Sequence, residues 1–160
     1  MTNDLRLRDV LDADLPVFFE NQRDAEASLL VGFTPRDQEA FDAHWAKIRR
    51  DPSNVIKTIL FGGRVAGNVL SFDRDGKREV GYWIGRDFWG KGVATRALAA
   101  FLQHEPARPL HAFVAQHNVA SVRVLEKCGF APCGEITQPP AGGAGAGGAT
   151  VTLSILRLDT

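Results

Sequence analysis

Residues 79–102 hold the arrangement with the clearest chemical potential. "EVGYWIG" (79–85) is an apolar run, "RDFWGKG" (86–92) is a loop dense in glycine, and "VATRALAAFL" (93–102) continues with helical spacing. A strand, a glycine turn and a helix N-terminus together make an anion cradle. Small residues at 90, 92 and 94 let backbone N–H groups approach closely, and the helix end adds partial positive charge. Gly85 to Lys91 even spells GxxxxGK, most of a nucleotide-binding P-loop. That motif needs Ser or Thr after the lysine to hold Mg²⁺, and Gly92 stands there instead. The dinucleotide fingerprint GxGxxG is missing as well, because Gly90-Lys91-Gly92 is followed by Thr95 at the position of the third glycine. The loop suits a diphosphate that is held and not cleaved. On residue types alone, a glycine turn that binds nothing remains equally open.

Other chemistry has less support. His44, His104, His111 and His117 form no HxxxH or HExxH group, which points away from a metal centre. Cys128 and Cys133 match no metal or redox spacing and read as reduced thiols of a cytoplasmic protein. The 160 residues form one domain, and 44% hydrophobic with 24% charged residues fits a soluble globular chain. No signal-peptide pattern or membrane-spanning apolar run is visible. The zero net charge argues against nucleic acid and anionic membranes. The charge is uneven, however. Residues 1–51 carry seven Lys/Arg against eleven Asp/Glu, and residues 52–160 carry twelve against eight. That asymmetry suits a cationic ligand on one side and an anionic one on the other, although ordinary surface variation accounts for it equally well.

The elements that must position the loop follow from patterning. "LRLRDV" (5–10) alternates as a half-exposed strand, and residues 12–24 place Leu15, Phe18 and Phe19 at helical spacing. A second helix is expected over 34–50, with Thr34 as cap, Pro35 in the first turn and Phe41, Trp45 and Ile48 on one face. "AEASLLVGF" (25–33) between them reads as an irregular apolar stretch that could line a pocket or simply cover the core. Strands are expected at 54–61, 65–73 and 79–85, joined by short glycine turns as an antiparallel meander. A helix from 93 ends near Glu105, before Pro106 and Pro109. "LHAFVA" (110–115) is a strand, and "NVASVRVLEKCGF" (118–130) is a helix capped by Asn118 and ended by Gly129. Strands at 131–137 and 150–158 flank "QPPAGGAGAGGA" (138–149), a low-complexity loop expected to be mobile. The single crossover from 85 to 110 predicts a mixed sheet, antiparallel early and parallel at its centre.

Two segments in this order resemble the GNAT superfamily of acetyl-CoA-dependent N-acetyltransferases. "EVGYWIGRDFWGKGVATRAL" is similar to its acetyl-CoA motif, and "NVASVRVLEKCGF" to its Asn-x-x-Ser…Leu-Glu-Lys-x-Gly-Phe motif. The likeness runs from "LRLRDVLDADL" to "LEKCGF" and is nearest the ribosomal-protein N-terminal acetyltransferase branch. It implies an α/β (α+β) fold: a mixed, mostly antiparallel sheet of six to seven strands with a splayed centre, flanked by four helices. Trp89 departs from the family pattern, standing where Gln or Arg is usual.

The resemblance also implies roles. Trp89, Gly90, Lys91, Gly92, Val93, Ala94 and Thr95 would wrap the pyrophosphate of acetyl-CoA, with Lys91 and Arg96 near its charge. The backbone of Tyr82, Trp83 and Ile84 would carry the pantetheine arm, and Asn118 would hydrogen-bond it or fix the loop. The cosubstrate would be acetyl-CoA, with no metal. Glu79 is the candidate base, since an amine attacks a thioester only when neutral. Alternatively it is a solvated hairpin residue. Many members use a tyrosine seven residues after the motif asparagine as acid. Leu125 stands there and Tyr82 is the chain's one tyrosine, so Ser121 is the expected proton donor to sulfur. Asn118 and Ser121 could equally serve as helix caps. The acceptor would be a cationic amine, a protein N-terminus or a small molecule, drawn by Asp24, Glu26, Asp37 and Glu39. The chain would act as a monomer or homodimer. A non-catalytic acyl-CoA-binding regulator or scaffold is the alternative.

Overall fold

The computed structural model describes residues 3–142 and 150–160. In chain order the elements are β1 (Leu5–Asp9), α1 (Leu15–Arg23), α2 (Ala25–Val31), β2 (Phe33–Thr34), α3 (Gln38–Arg50), β3 (Val55–Phe61), β4 (Arg64–Arg74) and β5 (Lys77–Ile84). They continue as α4 (Val93–Phe101), β6 (Leu110–Ala115), α5 (Val119–Lys127), β7 (Ala131–Gln138), β8 (Ala141–Gly142) and β9 (Val151–Leu158). Seven strands form one sheet in the order β1-β3-β4-β5-β6-β9-β7, and β2 pairs with β8 apart from it. Within the large sheet only β5 and β6 are parallel, as the single crossover requires.

The centre of that sheet is open. β5 and β6 pair only at Arg78–Leu110 and Glu79–His111, although β5 runs on to Ile84 and β6 to Ala115. β5 keeps its full ladder with β4, from Lys77 opposite Arg74 to Ile84 opposite Gly67. The strands thus splay beyond Glu79, leaving a β5 edge without a ladder partner.

Each face of the sheet has its own packing. On one side α4 and α5 cover the main core, where Leu98, Phe101, Leu110, Leu125 and Leu156 are fully buried. On the other, Phe18, Phe41 and Trp45 from α1 and α3 pack over Ile56 and Val65. Truncating Leu98 or Phe101 to Ala would cost about 3–5 kcal/mol at such sites. Two polar clusters pin the ends of the layers. Asp14 takes both guanidinium nitrogens of Arg8 and the Thr58 hydroxyl, and Glu105 takes the Ser71 hydroxyl and Arg78.

The expected elements are present, with three corrections. Among the described residues there are five α-helices where about four were expected. Residues 25–31 form α2, because Asp24 accepts the N–H groups of Glu26 and Ala27 and Gly32 ends the helix in the left-handed region. Helix α3 starts at Gln38, capped by the Asp37 side chain on Ala40 N–H at 2.8 Å. Thr34 lies instead in β2, so the cap is supplied one turn later than Thr34-Pro35 suggests. Of the low-complexity stretch 138–149, Gln138 ends β7 and Ala141–Gly142 forms β8; residues 143–149 lie outside the described residues.

Candidate active site

The splay leads into a cavity of about 310 Å³ bounded by α2, the second half of β5, the glycine loop and the first turn of α5. Its most unusual feature is the loop backbone. Gly90 and Gly92 sit at φ 73° and 72°, a region that L side chains rarely adopt, and a Cβ on either would meet nothing within 4 Å. Among the described residues, the N–H groups of Gly90 through Thr95 find no acceptor; the first bonded amide is Arg96, to Gly92 O at 3.1 Å. Six free donors in succession at the start of α4 make an anion nest. Gly85, the first glycine of the apparent P-loop, has a different task. A Cβ there would lie 2.8 Å from Asn21 Oδ1, so Gly85 lets α1 approach the end of β5.

β5 divides the site by simple alternation. Val80, Tyr82 and Ile84 pack towards the α4/α5 core. Glu79, Gly81 and Trp83 face the opposite side, where the Trp83 ring meets Phe33 edge-on at 5.3 Å between centroids. Nothing lies within 4 Å of a Cβ on Gly81, so the space between Glu79 and Trp83 is open. Glu79 is itself buried and pairs with Arg74 at 2.7 Å. Burial pushes its carboxyl up to about 7, against the pull of Arg74.

A GNAT acetyltransferase domain model matches residues 4–131. The chain belongs to the GNAT acetyltransferase family. No curated protein matches it. Solved structures with the same fold include a spermidine N-acetyltransferase from Vibrio cholerae in complex with CoA and spermine. It has TM-score 0.80 and 16% identity over 97% of this chain and 95% of that one. A ribosomal-protein-alanine N-acetyltransferase from Brucella melitensis has TM-score 0.77 and 22% identity, over 97% and 99% of the two chains. A GNAT-family acetyltransferase from Bacillus anthracis has TM-score 0.78 and 17% identity, over 99% and 96%.

Within this GNAT domain the motif residues separate into groups. Tyr82, Trp83, Ile84, Trp89, Gly90, Gly92, Val93, Ala94, Thr95, Asn118 and Ser121 all border the cavity. Lys91 is exposed on the loop rim. Asn118 caps α5 by accepting Ser121 N–H at 3.3 Å. The Ser121 hydroxyl lies 2.6 Å from the Tyr82 hydroxyl, so the one tyrosine of the chain reaches the expected acid from β5. Burial pushes the Tyr82 phenol up to about 12, which keeps it protonated at neutral pH. Trp89 donates its indole N–H to Ile84 O at 2.9 Å and stacks under Arg86, tying the loop to the end of β5. Glu79 does not border the cavity. It sits at the closed end of the splay on the far face of β5.

Two expectations from the sequence change. Arg96 does not turn to the anion nest: its guanidinium donates to Asn3 O at 3.0 Å and lies over Phe61. Three of the four carboxylates expected to draw a cation are engaged elsewhere. Arg86 grips Asp24 with two bonds of 2.6 Å and also pairs with Glu26, while Asp37 caps α3. The Arg86 guanidinium holds the Asp24 carboxyl far below its ordinary range. The same grip fixes α2, so the apolar stretch 25–33 does line a pocket, one of its two expected uses, although as a helix and not as irregular chain. Its other end is held by His117, whose Nε2 is 3.0 Å from Leu29 O. The Asp24 and Gly32 caps were the available signal; the Arg86 contact, 62 residues away in sequence, gave none.

Proposed function

We propose that the chain transfers the acetyl group of acetyl-CoA to a primary amine by direct attack in a ternary complex. The observation that carries this is the run of six free amides opening into an apolar cleft at splayed strands. Acetyl-CoA supplies an activated thioester. The amides of Gly90 to Thr95, with Lys91 at the rim, hold its diphosphate. The unpaired β5 edge at Tyr82–Ile84 and the Asn118 side chain hold the pantetheine arm, and α2 closes over it. N–H groups on that edge stabilise negative charge as it develops on the acetyl oxygen.

Glu79 receives the proton that the amine must lose, directly or through water in the gap left by Gly81. A carboxyl near 7 is matched to an α-amine of about 7.7 better than an ordinary glutamate would be. On the opposite face of the strand, the Ser121 hydroxyl donates to the departing sulfur, with Tyr82 supporting it. The acceptor is a primary amine, a peptide N-terminus or a small molecule, that arrives protonated.

A thiol-release assay with acetyl-CoA and a panel of amines and peptides tests the reading. Turnover dependent on the amine supports it. Tight CoA binding without turnover on any acceptor would establish the regulatory or scaffold role instead.

A further inference from the structure

The acceptor face of β5 carries a cation that the fold itself does not use. Among the described residues four arginines escape full exposure: Arg8, Arg36, Arg78 and Arg108. Arg8 is paired with Asp14, Arg78 with Glu105 and Asp73, and Arg108 donates to the carbonyl oxygens of Glu105 and Ala107. The Arg36 guanidinium alone has no hydrogen-bond acceptor and no carboxylate partner among the described residues. None of residues 1–2 and 143–149 carries a carboxylate side chain either. Half-burial without an anion is costly for a guanidinium, and desolvation alone depresses its pKa. The surrounding charge makes this worse. Arg36 and Lys47 both help push His44 down to about 4, after its burial, so His44 is neutral, while the neighbouring Asp37 side chain turns to the α3 cap.

The position is built. Gln22 is buried and clamps the Arg36 backbone from both sides, donating to Arg36 O at 3.0 Å and accepting its N–H at 2.7 Å. Ser28 in turn donates to Gln22 O at 2.8 Å. The guanidinium lies over the Phe33 ring at 5.3 Å, and Phe33 stands edge-on to Trp83 at 5.3 Å. Trp83 is the strand neighbour of Tyr82, whose hydroxyl meets Ser121 in the cavity. A row of Trp83, Phe33 and Arg36 therefore leads outward from the splay on the side opposite the α4/α5 core.

We propose that Arg36 recognises a carboxylate on the acceptor, so that the preferred substrate is an amine that also bears an anionic end. This rests on the acetyl-transfer reading and narrows its acceptor class. The two contacts of the row, at 5.3 Å each, span at most the length of about three extended residues at about 3.5 Å each, so acceptors from an amino acid to a tripeptide come within its reach. A guanidinium fork on a carboxylate in a half-buried site discriminates strongly against the neutral amide.

The test compares alanine peptides of one to three residues, as free acids and as C-terminal amides, in the thiol-release assay. For wild type, the acid of at least one length should exceed its amide in kcat/KM by about ten- to a hundred-fold. Arg36→Gln should remove that preference by lowering the acids alone, and Arg36→Lys should keep part of it, with both variants melting near wild type. Equal use of acids and amides, or equal loss of both in Arg36→Gln, overturns the proposal. Calorimetric titration of the acids into CoA-loaded protein separates the two readings. Arg36-dependent binding without turnover sinks acetyl transfer and keeps the carboxylate site, whereas turnover of neutral amines with no Arg36-dependent binding does the reverse. Neither turnover nor binding sinks both.

Discussion

Replacing Glu79 by Gln should change stability and rate in ways that pH keeps separate. The folded carboxyl is raised from 4.5 to about 7, with burial as the main cause. Between these values the folded state holds a proton that the unfolded chain has released, so wild-type stability falls as pH rises through the window. A shift of this size corresponds to about 3 kcal/mol. Glutamine stays neutral throughout. Urea denaturation should therefore show Glu79→Gln gaining about 3 kcal/mol on wild type between pH 4.5 and pH 8, the attraction of Arg74 being already contained in the value of about 7. The kinetic arm has the opposite sign. Wild-type kcat/KM should fall below pH 7 as Glu79 protonates, and the variant should lose about a hundred-fold at pH 7.5 together with that inflection. Parallel stability profiles for the two proteins would refute the burial argument. An unchanged kcat/KM across pH 6–9 on a good acceptor would refute the base.

Three further outcomes follow from the geometry. Tyr82→Phe and Ser121→Ala should each lower kcat about ten-fold with little change in acetyl-CoA affinity, and the double variant should lose little more, because the hydroxyls 2.6 Å apart act as a unit. A double-mutant cycle on kcat reads this directly. Gly92→Ala meets no atom but must hold φ 72°, at about 1–2 kcal/mol; calorimetry should show CoA binding weakened several-fold while the fold persists. Burial works to raise the Asp14 carboxyl, but bonds from Arg8, Leu11 N–H and Thr58 outweigh it and hold it at about 2. Its contribution is present above the ordinary aspartate range and lost as pH falls towards 2. Asp14→Asn should thus cost about 1–2 kcal/mol in urea at pH 7 and flatten the acid limb below pH 4.

What the sequence disclosed tracks the physical demand on each residue. The glycine loop was legible because left-handed backbone and close amide approach narrow the choice almost to glycine. Asn118 was legible because capping is local, with Ser121 N–H only three residues away. Helix α2 was not, since seven residues make barely two turns and too little periodicity to separate helix from loop. Glu79 was legible as the start of a strand, but its burial was not, and a solvated hairpin residue remained the alternative. β5 begins at Lys77 between two neighbours, and that central position, not its chain neighbours, sets its burial. The charge bias of residues 1–51 is real in number but does not gather into one free acidic patch. Asp14, Asp24 and Asp37 are consumed by Arg8, Arg86 and a helix cap, while among the described residues Glu39 stays exposed and the half-buried Arg36 has no carboxylate partner.

The two-residue period of one strand organises both halves of the proposed reaction. Tyr82 shares its side of β5 with the anion nest and Ser121, where a departing thiolate would need a proton. Glu79, Gly81 and Trp83 share the other, where an arriving amine would need to lose one. The backbone between them passes through the gap that β6 vacates beyond His111, so the two faces are joined only where the ladder is missing. A side chain on Gly81 would enter the gap between base and amine without touching the CoA side. Gly81→Ala should accordingly raise the KM of the amine more than that of acetyl-CoA, because nothing within 4 Å of the new Cβ resists it in the free protein and the cost appears only when the acceptor arrives. Equal effects on both substrates would mean that β5 does not partition them.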